Sequence, residues 1–233
     1  PAEEGGAGGK AMVDDGMMER FGVDEVYGLH NMPGLPVGEF AICEGAIMAG
    51  TDEFTIQLEG LGAHAAMPHM GRDPIVVASQ MVQALQSIVS RNVDPLSSAV
   101  VTVTGIQAGK AYNVIPQEAK FWGTVRTLND EVREQVFARM NVLLEGIAAA
   151  HEIKVTINVK AGYPVTVNHA AQTGFAADVA REVVGDERVD VERLPVMGGE
   201  DFSFMLLERP GAFIFMGNGD SAGLHHEEYD FND

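Results

Sequence analysis

The stretch from residue 51 to residue 163 constrains the fold most, because its hydrophobic pattern alternates between the periods of strands and helices. Strand-like runs lie near residues 54–60, 99–106, 119–128 and 155–159. The amphipathic runs between them follow Asp73-Pro74 and Asn129 or Asp130, which are helix-start signals. The order β-α-β-β-α-β is that of a ferredoxin-like domain, in which two helices cover one face of a four-stranded antiparallel sheet. We therefore expect a compact inserted domain here.

The flanking segments, residues 1–50 and 164–233, also combine helices with strands. Apolar spacing predicts helices over residues 11–21 and 170–184, and strands over residues 26–30, 40–45 and 212–217. A chain of 233 residues with 46% hydrophobic composition can bury two modest cores. We expect the flanking segments to form one discontinuous α/β domain, with residues 51–163 inserted into it.

Charge and composition argue against several classes of function. Fifteen Lys and Arg against 34 Asp and Glu give a net charge of -19, which would repel nucleic-acid phosphates and an anionic membrane surface. No apolar run reaches the roughly 18–20 residues of a membrane span. The single cysteine, Cys43, cannot form an internal disulfide, so we expect a cytoplasmic protein in which Cys43 is a small buried apolar residue.

Two adjacent carboxylates, Glu3 and Glu4, precede the glycine-rich run GGAGGK. This run does not match a phosphate-binding loop, because Glu4 and Ala11 stand where that motif requires a glycine and a Ser or Thr. Acids are also common in the first turn of a helix, so a structural role is the alternative to a chemical one.

Histidines on both sides of the predicted insertion could meet this pair. His30 ends a predicted strand, and His225 and His226 lie near the end of the sequence. Ligands bind at strand ends of α/β sheets, so these groups can converge. Imidazoles and carboxylates bind divalent transition metals, and of two adjacent glutamates one can be a ligand while the other is a general base for a metal-bound water.

Eight segments, in order, carry a resemblance to a known family: PAEEGGAGGKAM, GLHNMPGLPVG, GLGAHAAMPHMGRDP, NVIP, GTVRTL, GGEDFSFML, GAFIFMGNG and LHHEEYDFND. They resemble the hippurate hydrolase and N-acyl-L-amino acid amidohydrolase branch of the dinuclear metallo-aminoacylase and carboxypeptidase family. The resemblance implies a zinc-peptidase-like catalytic α/β domain with two divalent metal ions (Zn, Mn, Ni or Co) and an inserted lid domain that mediates homodimer formation. It also implies metal-dependent hydrolysis of N-acyl amino acids, with a dipeptidase or carboxypeptidase of the same family as the alternative.

The resemblance also implies roles for single residues of the catalytic domain. Glu3 resembles the general base that activates a metal-bridging water. Glu4, His30 and His225 resemble metal ligands, and His226 is then a neighbour of the site. The GGEDF segment contains Glu200-Asp201. These acids either cap the following helix or support the residues that bind metal and substrate.

Within the predicted lid, His64 resembles the histidine that contacts the reacting carbonyl, often from the partner subunit. Asn113 and Arg126 resemble residues that hold the polar groups of the substrate, and a planar guanidinium suits a carboxylate. Asn113 could instead be a turn residue and Arg126 a solvated strand residue.

The sequence departs from the family pattern in one respect. Family members carry an upstream segment of the type A-C-G-H-D that supplies further metal ligands, and the sequence has none. We therefore expect a partial catalytic domain that corresponds to the C-terminal two-thirds of such an enzyme. Three ligands could hold one ion in an open site. A non-catalytic dimerisation fragment is the alternative from another class.

Overall fold

The computed structural model describes residues 3–230, apart from the side chain of Glu4. The chain forms two compact units. The split unit combines the residues up to Gly50 with those from Tyr163 onward, and the inserted unit is Thr51–Gly162. The predicted boundaries fell at 50/51 and 163/164, and the assignment of the two parts as catalytic and lid domains stays a prediction.

Helices and strands occur in both units. The helices are α1 (Glu3–Gly6), α2 (Gly8–Asp14), α3 (Met17–Phe21), α4 (Pro74–Arg91), α5 (Asp130–Ala150), α6 (Ala170–Val184) and α7 (Ser203–Glu208). The strands are β1 (Val26–Met32), β2 (Phe40–Ala41), β3 (Gly45–Met48), β4 (Gly50–Glu59), β5 (Ala63–His64), β6 (Ala99–Ala108), β7 (Val114–Ile115), β8 (Glu118–Thr127), β9 (Lys154–Ala161), β10 (Thr166–Asn168), β11 (Val189–Asp190) and β12 (Gly211–Gly217). Within residues 3–230, no helix has the length and apolar composition of a membrane span.

The inserted unit is built on a sheet with the strand order β6-β8-β4-β9. Phe54, Ile56 and Leu58 alternate along β4 and are buried in one cluster with Leu85 of α4 and Leu144 of α5. Alternate residues of a strand point to the same face of a sheet. Both long helices therefore pack on one face of this sheet, and the other face carries polar side chains.

Both long helices begin at the residues that the sequence predicted. Asp73 accepts a hydrogen bond from the backbone N–H of Ile75 at 2.8 Å, and Pro74 is the first residue of α4. Asn129 accepts one from the N–H of Val132 at 2.8 Å, at the start of α5. Each side chain satisfies a backbone donor that the first turn of a helix leaves without a partner.

A buried ion pair ties α5 to β4 in the inserted unit. The Asp52 carboxylate is only 2% exposed and accepts hydrogen bonds from Nε and Nη2 of Arg133 at 2.7 and 2.6 Å. The hydrogen bonds that Arg133 donates to Asp52 are the main cause that raises the pKa of Arg133. Since both charges are satisfied in this geometry, loss of one partner would leave the other charge uncompensated.

The split unit contains a sheet with the strand order β1-β12-β2-β11. β1 and β12 are parallel, and His30 lies opposite Phe215 in their register. β3 and β10 form a separate antiparallel pair. Ile42, Ile47 and Phe213 are buried together with Phe215 in the core beside these strands.

Asn168, which is 2% exposed, connects segments of the split unit that are distant in sequence. Its amide nitrogen donates to the carbonyl oxygens of Cys43 and Phe213, each at 2.9 Å. Its amide oxygen accepts from the N–H of Phe213 at 2.7 Å. One side chain therefore satisfies three backbone groups in the core.

Two predicted elements of the split unit were wrong in extent. The helix predicted over residues 11–21 is divided into α2 and α3, because Gly16 has a left-handed φ of 79° that an α-helix cannot continue. The strand predicted over residues 40–45 ends at Ala41, and β3 begins at Gly45, whose φ is 80°. A glycine at each break permits the backbone conformation that interrupts the pattern.

Candidate active site

His30 lies on β1, and the prediction that it ends the strand was wrong by two residues, because the strand continues through Asn31 and Met32. Its half-buried ring packs against the rings of Phe213 and Phe215, with centroid distances of 6.2 and 6.5 Å. Nδ1 lies 2.5 Å from the carbonyl oxygen of Asn31, which can only accept, so Nδ1 carries the proton and Nε2 carries the lone pair. This is the tautomer in which a histidine can bind a metal ion through Nε2.

Glu200 lies near His30, in the loop that precedes α7. Burial raises the pKa of Glu200, although the N–H of Phe202 and the imidazole of His30 act in the opposite direction. Oε1 accepts from the N–H of Phe202 at 3.3 Å, and the carbonyl oxygen accepts from Ser203 Oγ at 2.7 Å. Glu200 therefore bonds the first turn of α7 and also lies within electrostatic reach of His30.

The acidic segment, residues 3–9, is held by side chains from distant parts of the sequence. Tyr163 donates a hydrogen bond through its hydroxyl to the backbone carbonyl of Glu3. Asp201 accepts one from the backbone N–H of Gly9 at 2.6 Å through Oδ2. These contacts fix the backbone at both ends of the segment that carries the predicted general base.

The C-terminal residues are tied to the end of β12. The amide nitrogen of Asn218 donates to the carbonyl oxygen of Asp230 at 3.0 Å. His225 is exposed and has a φ of 65°, which is uncommon for a residue with a side chain. Nδ1 of His226 accepts from the N–H of Glu228 at 3.1 Å, so this ring is bonded to its own turn. The choice of His225 rather than His226 as the metal ligand stays a prediction.

The predicted metal ligands do not form a complete site among the described side chains. Within residues 3–230, no group of three or more His, Cys, Asp and Glu residues is placed to hold a metal ion. The side chain of Glu4, a predicted ligand, lies outside the described residues, as do residues 231–233 of the C-terminal motif. The chemistry of His30 and His225 suits a transition-metal ion, and the ligand set stays a prediction.

His64 and Asn113 come together in the inserted unit. β5 and β7 pair antiparallel, with His64 opposite Val114, and the N–H of Ala65 donates to the carbonyl oxygen of Asn113 at 3.0 Å. Both His64 and Asn113 are exposed. Nδ1 of His64 accepts from the N–H of Ala66 at 3.0 Å, so the proton of the neutral ring is on Nε2. Nε2–H can therefore donate to an oxygen of a ligand.

Arg126 lies on β8, and its guanidinium is partly buried. Nη1 donates to the hydroxyl of Thr124 and to the carbonyl oxygen of Val125. Burial lowers the pKa of Arg126, whereas the charges of Asp52 and Glu53 raise it. The side chain is thus held through Nη1 while it keeps its positive charge.

Arg126 lies far along β8 from β7, the strand that pairs with the strand of His64. β7, which pairs with the strand of His64, ends at Ile115, and β8 begins shortly afterwards at Glu118. Arg126 lies eight residues further along β8, which at about 3.3 Å per residue is a separation of roughly 26 Å. The inserted unit therefore places His64 and Asn113 together and keeps Arg126 far from both.

A surface cavity of about 690 Å³ also lies in the inserted unit, lined by polar side chains that include Lys110, Lys120 and Lys154. None of the three predicted substrate-binding or catalytic residues of this unit lines the cavity. Val114, which follows Asn113 in the chain and lies opposite His64 in register, does line it.

Sequence reasoning did not predict the two side chains that contact the acidic segment. Sequence patterns predict only a lid hinge near Tyr163 and leave Asp201 open between a helix cap and a supporting role. In the structure the side chain of Asp201 accepts a hydrogen bond from the backbone N–H of Gly9, which is 192 positions away. A partner at this sequence distance cannot be read from spacing, although the acids of GGEDF mark the loop as a place to look.

The model of the peptidase family M20/M25/M40 matches residues 1–233 of the chain. The chain belongs to this family, and the resemblance drawn from the eight segments is confirmed.

Curated relatives are named for amide hydrolysis. A hippurate hydrolase from Campylobacter jejuni is 41% identical over 233 residues, which are 100% of this chain and 61% of the relative. An N-acetyl-L-cysteine deacetylase from Bacillus subtilis is 43% identical over 229 residues, which are 98% of this chain and 54% of the relative. The chain thus spans less than two-thirds of the length of these curated relatives.

Solved structures share the fold. A putative aminohydrolase from methicillin-resistant Staphylococcus aureus is 32% identical, with a TM-score of 0.87 over 99% of this chain and 60% of the other. A Bacillus subtilis protein described as a dinuclear metal binding peptidase from the M20 family is 32% identical, with a TM-score of 0.79 over 99% of this chain and 57% of the other. The expected mixed α/β fold is confirmed.

Proposed function

We propose that the protein hydrolyses the amide bond of N-acyl amino acids, as a hippurate hydrolase or aminoacylase does. The observation that carries the proposal is the family match over the whole chain, and relatives named hippurate hydrolase and N-acetyl-L-cysteine deacetylase support this substrate class. The split unit is then the catalytic domain. The inserted unit, with two helices on one face of the sheet β6-β8-β4-β9, is then the ferredoxin-like lid.

Divalent metal ions are part of the proposal. The structural neighbour described as dinuclear metal binding supports them, as does the tautomer of His30. Glu4, His30 and His225 would contribute ligands, to which Zn, Mn, Ni or Co are suited. When bound, such ions would supply a water that is activated near neutral pH and would polarise the amide carbonyl.

The residues of the chain then have the following parts. Glu3 accepts a proton from the attacking water and returns it to the leaving amine, which is the work of a general base and acid. His64 donates through Nε2–H to the oxyanion, a role that its tautomer supports. Asn113 bonds a polar group of the substrate, and the guanidinium of Arg126 pairs with the free carboxylate of the amino acid.

The separation of these groups supports a homodimer. An N-acyl amino acid is far shorter than the roughly 26 Å that eight residues of strand imply between Arg126 and the strand start near His64. One inserted unit therefore cannot offer both groups to one substrate, whereas two copies related by a two-fold axis can. We propose that the lid dimerises and that His64 serves the partner's site.

Two alternatives stay open. A dipeptidase or carboxypeptidase of the same family would use the same residues on a peptide. A non-catalytic dimerisation fragment is favoured by one observation, that the described side chains gather no metal-binding group of three. The lone Cys43 supports the expected cytoplasmic location, because it cannot form an internal disulfide.

The test is release of free amino acid from a panel of N-acyl amino acids, hippurate included, alongside a panel of dipeptides. The protein is the longest natural chain that contains this sequence, assayed with added Mn²⁺ or Zn²⁺ and with a chelator. We expect metal-dependent hydrolysis of at least one N-acyl amino acid. Activity on dipeptides alone would establish the peptidase, and absence of both metal uptake and hydrolysis would leave the dimerisation fragment.

A further inference from the structure

We infer that Asp201 is a positioning residue that holds the acidic segment, and with it the proton-transferring Glu3, in place. The inference rests on the proposed function, because it gives Glu3 its part in the reaction. Asp201 touches neither metal nor substrate in this account. It acts through the backbone of residues 3–9.

The contact of Asp201 has the properties of a built anchor. Its carboxylate is 7% exposed, and Oδ2 accepts from the N–H of Gly9 at 2.6 Å. A carboxylate is costly to bury unless hydrogen bonds compensate for the lost water, and hydrogen bonds to a charged group are short and strong. The bond therefore joins the loop before α7 to the start of α2.

Gly9 is suited to this contact because it has no side chain. A Cβ at this position would lie 2.9 Å from Oδ1 of Asp201, and 3.0 Å from both its Cγ and its carbonyl oxygen. The first distance is shorter than real contacts of a Cβ and the other two are tighter than most of them, so we expect a larger residue to push the two segments apart. Gly9 and Asp201 form a matched pair.

A second anchor holds the other end of the segment. The hydroxyl of Tyr163 donates to the carbonyl oxygen of Glu3, and its ring packs edge-on against Phe204 at a centroid distance of 6.2 Å. Burial and the charges of Glu3 and Asp201 raise the pKa of Tyr163, which keeps the hydroxyl protonated as a donor. Glu4 lies between the two anchors in the sequence.

The segment needs anchors because of its composition. Gly5, Gly6 and Gly8 leave the backbone many conformations, and Gly5 has no atom within 4 Å of the position of a Cβ. A general base must be held within a fraction of an ångström of its working position. Loss of one anchor would therefore displace Glu3 while the fold persists.

The test compares Asp201→Ala, Asp201→Asn and Gly9→Ala with a matched control, Asp73→Ala, in the longest natural chain with Mn²⁺. Asp73 also accepts one backbone N–H, at 2.8 Å, but in the inserted unit. We expect Asp201→Ala to lower kcat by about 10- to 100-fold with KM changed by less than about threefold. Asp201→Asn keeps an acceptor oxygen and should recover most of the lost kcat. Asp73→Ala should keep the wild-type kcat.

Hydrogen–deuterium exchange of residues 3–14 supplies a readout that does not depend on turnover. We expect faster exchange in Asp201→Ala and in Gly9→Ala, and wild-type exchange in Asp73→Ala. Wild-type kcat and exchange in Asp201→Ala would overturn the inference. If Asp201→Ala does not fold, kcat and the exchange of residues 3–14 in Gly9→Ala decide the inference instead. If the wild type hydrolyses no N-acyl amino acid, the proposed function fails, and unchanged exchange in Asp201→Ala would separately overturn the anchoring.

Discussion

The split unit and the inserted unit are stabilised in different ways. In the inserted unit, α4 and α5 pack long apolar stripes on a sheet of long strands, and β4, β6 and β8 each contain ten residues. In the split unit, β2 and β11 have only two residues each, and buried polar side chains connect distant segments. Asn168 bonds Cys43 and Phe213, and Asp201 bonds Gly9.

This difference indicates which unit is suited to side chains for recognition and which to side chains for catalysis. Regular elements with an apolar core keep their shape while side chains such as the exposed His64 and the partly buried Arg126 extend from them, so the inserted unit suits the proposed recognition of substrate. Polar ties between loops hold individual backbone groups at defined positions. The split unit therefore suits the residues that must be placed accurately for chemistry.

The largest effect is expected at Glu3. Glu3→Gln keeps the size of the side chain but removes its ability to take a proton, so kcat should fall by about 10²- to 10⁴-fold. Metal content and thermal stability should stay near those of the wild type. Retained turnover would break the assignment of chemistry to the split unit. The measurement is kcat on the preferred N-acyl amino acid, with metal content of the same samples.

The next effect concerns stability of the inserted unit. Asp52→Ala would remove the buried acceptor of two hydrogen bonds from Arg133, whose side chain is 32% exposed and can still contact water. We expect a loss of about 3 kcal/mol in the free energy of unfolding. Glu59→Ala is the control, because the ion pair of Glu59 with Lys154 is exposed and 3.5 Å long. It should change the denaturation midpoint little. If Asp52→Ala and Glu59→Ala lowered the free energy of unfolding equally in urea denaturation, burial would not strengthen the contribution of the Asp52–Arg133 pair.

A smaller difference in stability is expected between a buried hydrogen-bonded side chain of the split unit and a helix cap of the inserted unit. Asn168→Ala would leave backbone groups of Cys43 and Phe213 unsatisfied in the core, so we expect a loss of about 2–3 kcal/mol. Asn129→Ala makes the same chemical change at a helix cap, and about 1 kcal/mol is expected. Chemical denaturation of both variants measures the difference. A larger loss of stability in Asn129→Ala than in Asn168→Ala would contradict this expectation.

Sequence patterns predicted the inserted unit better than the split unit. Asp73-Pro74 and Asn129 marked the starts of α4 and α5 because capping acts over three residues, and the structure confirms both starts. The break at Gly16 was missed because a single glycine does not disturb an apolar period. The ties of Asp201 to Gly9 and of Tyr163 to Glu3 join residues 192 and 160 positions apart, and no local pattern reports such pairs.

The candidate site divides in a similar way. The residue types Glu, His, Asn and Arg followed from the eight segments, but their grouping required coordinates. The antiparallel pairing of β5 with β7 brings His64 beside Asn113, and the length of β8 carries Arg126 away from them. That separation is the reason for proposing that two copies of the lid complete one site.

The most direct test mixes two inactive variants in one dimer. His64→Ala and Arg126→Ala chains are co-expressed with different tags, the mixed dimer is purified, and kcat/KM on the preferred N-acyl amino acid is compared with each parent. If His64 serves the partner's site, the mixed dimer contains one intact site and recovers about half of the wild-type activity. A mixed dimer no more active than its parents would contradict the account.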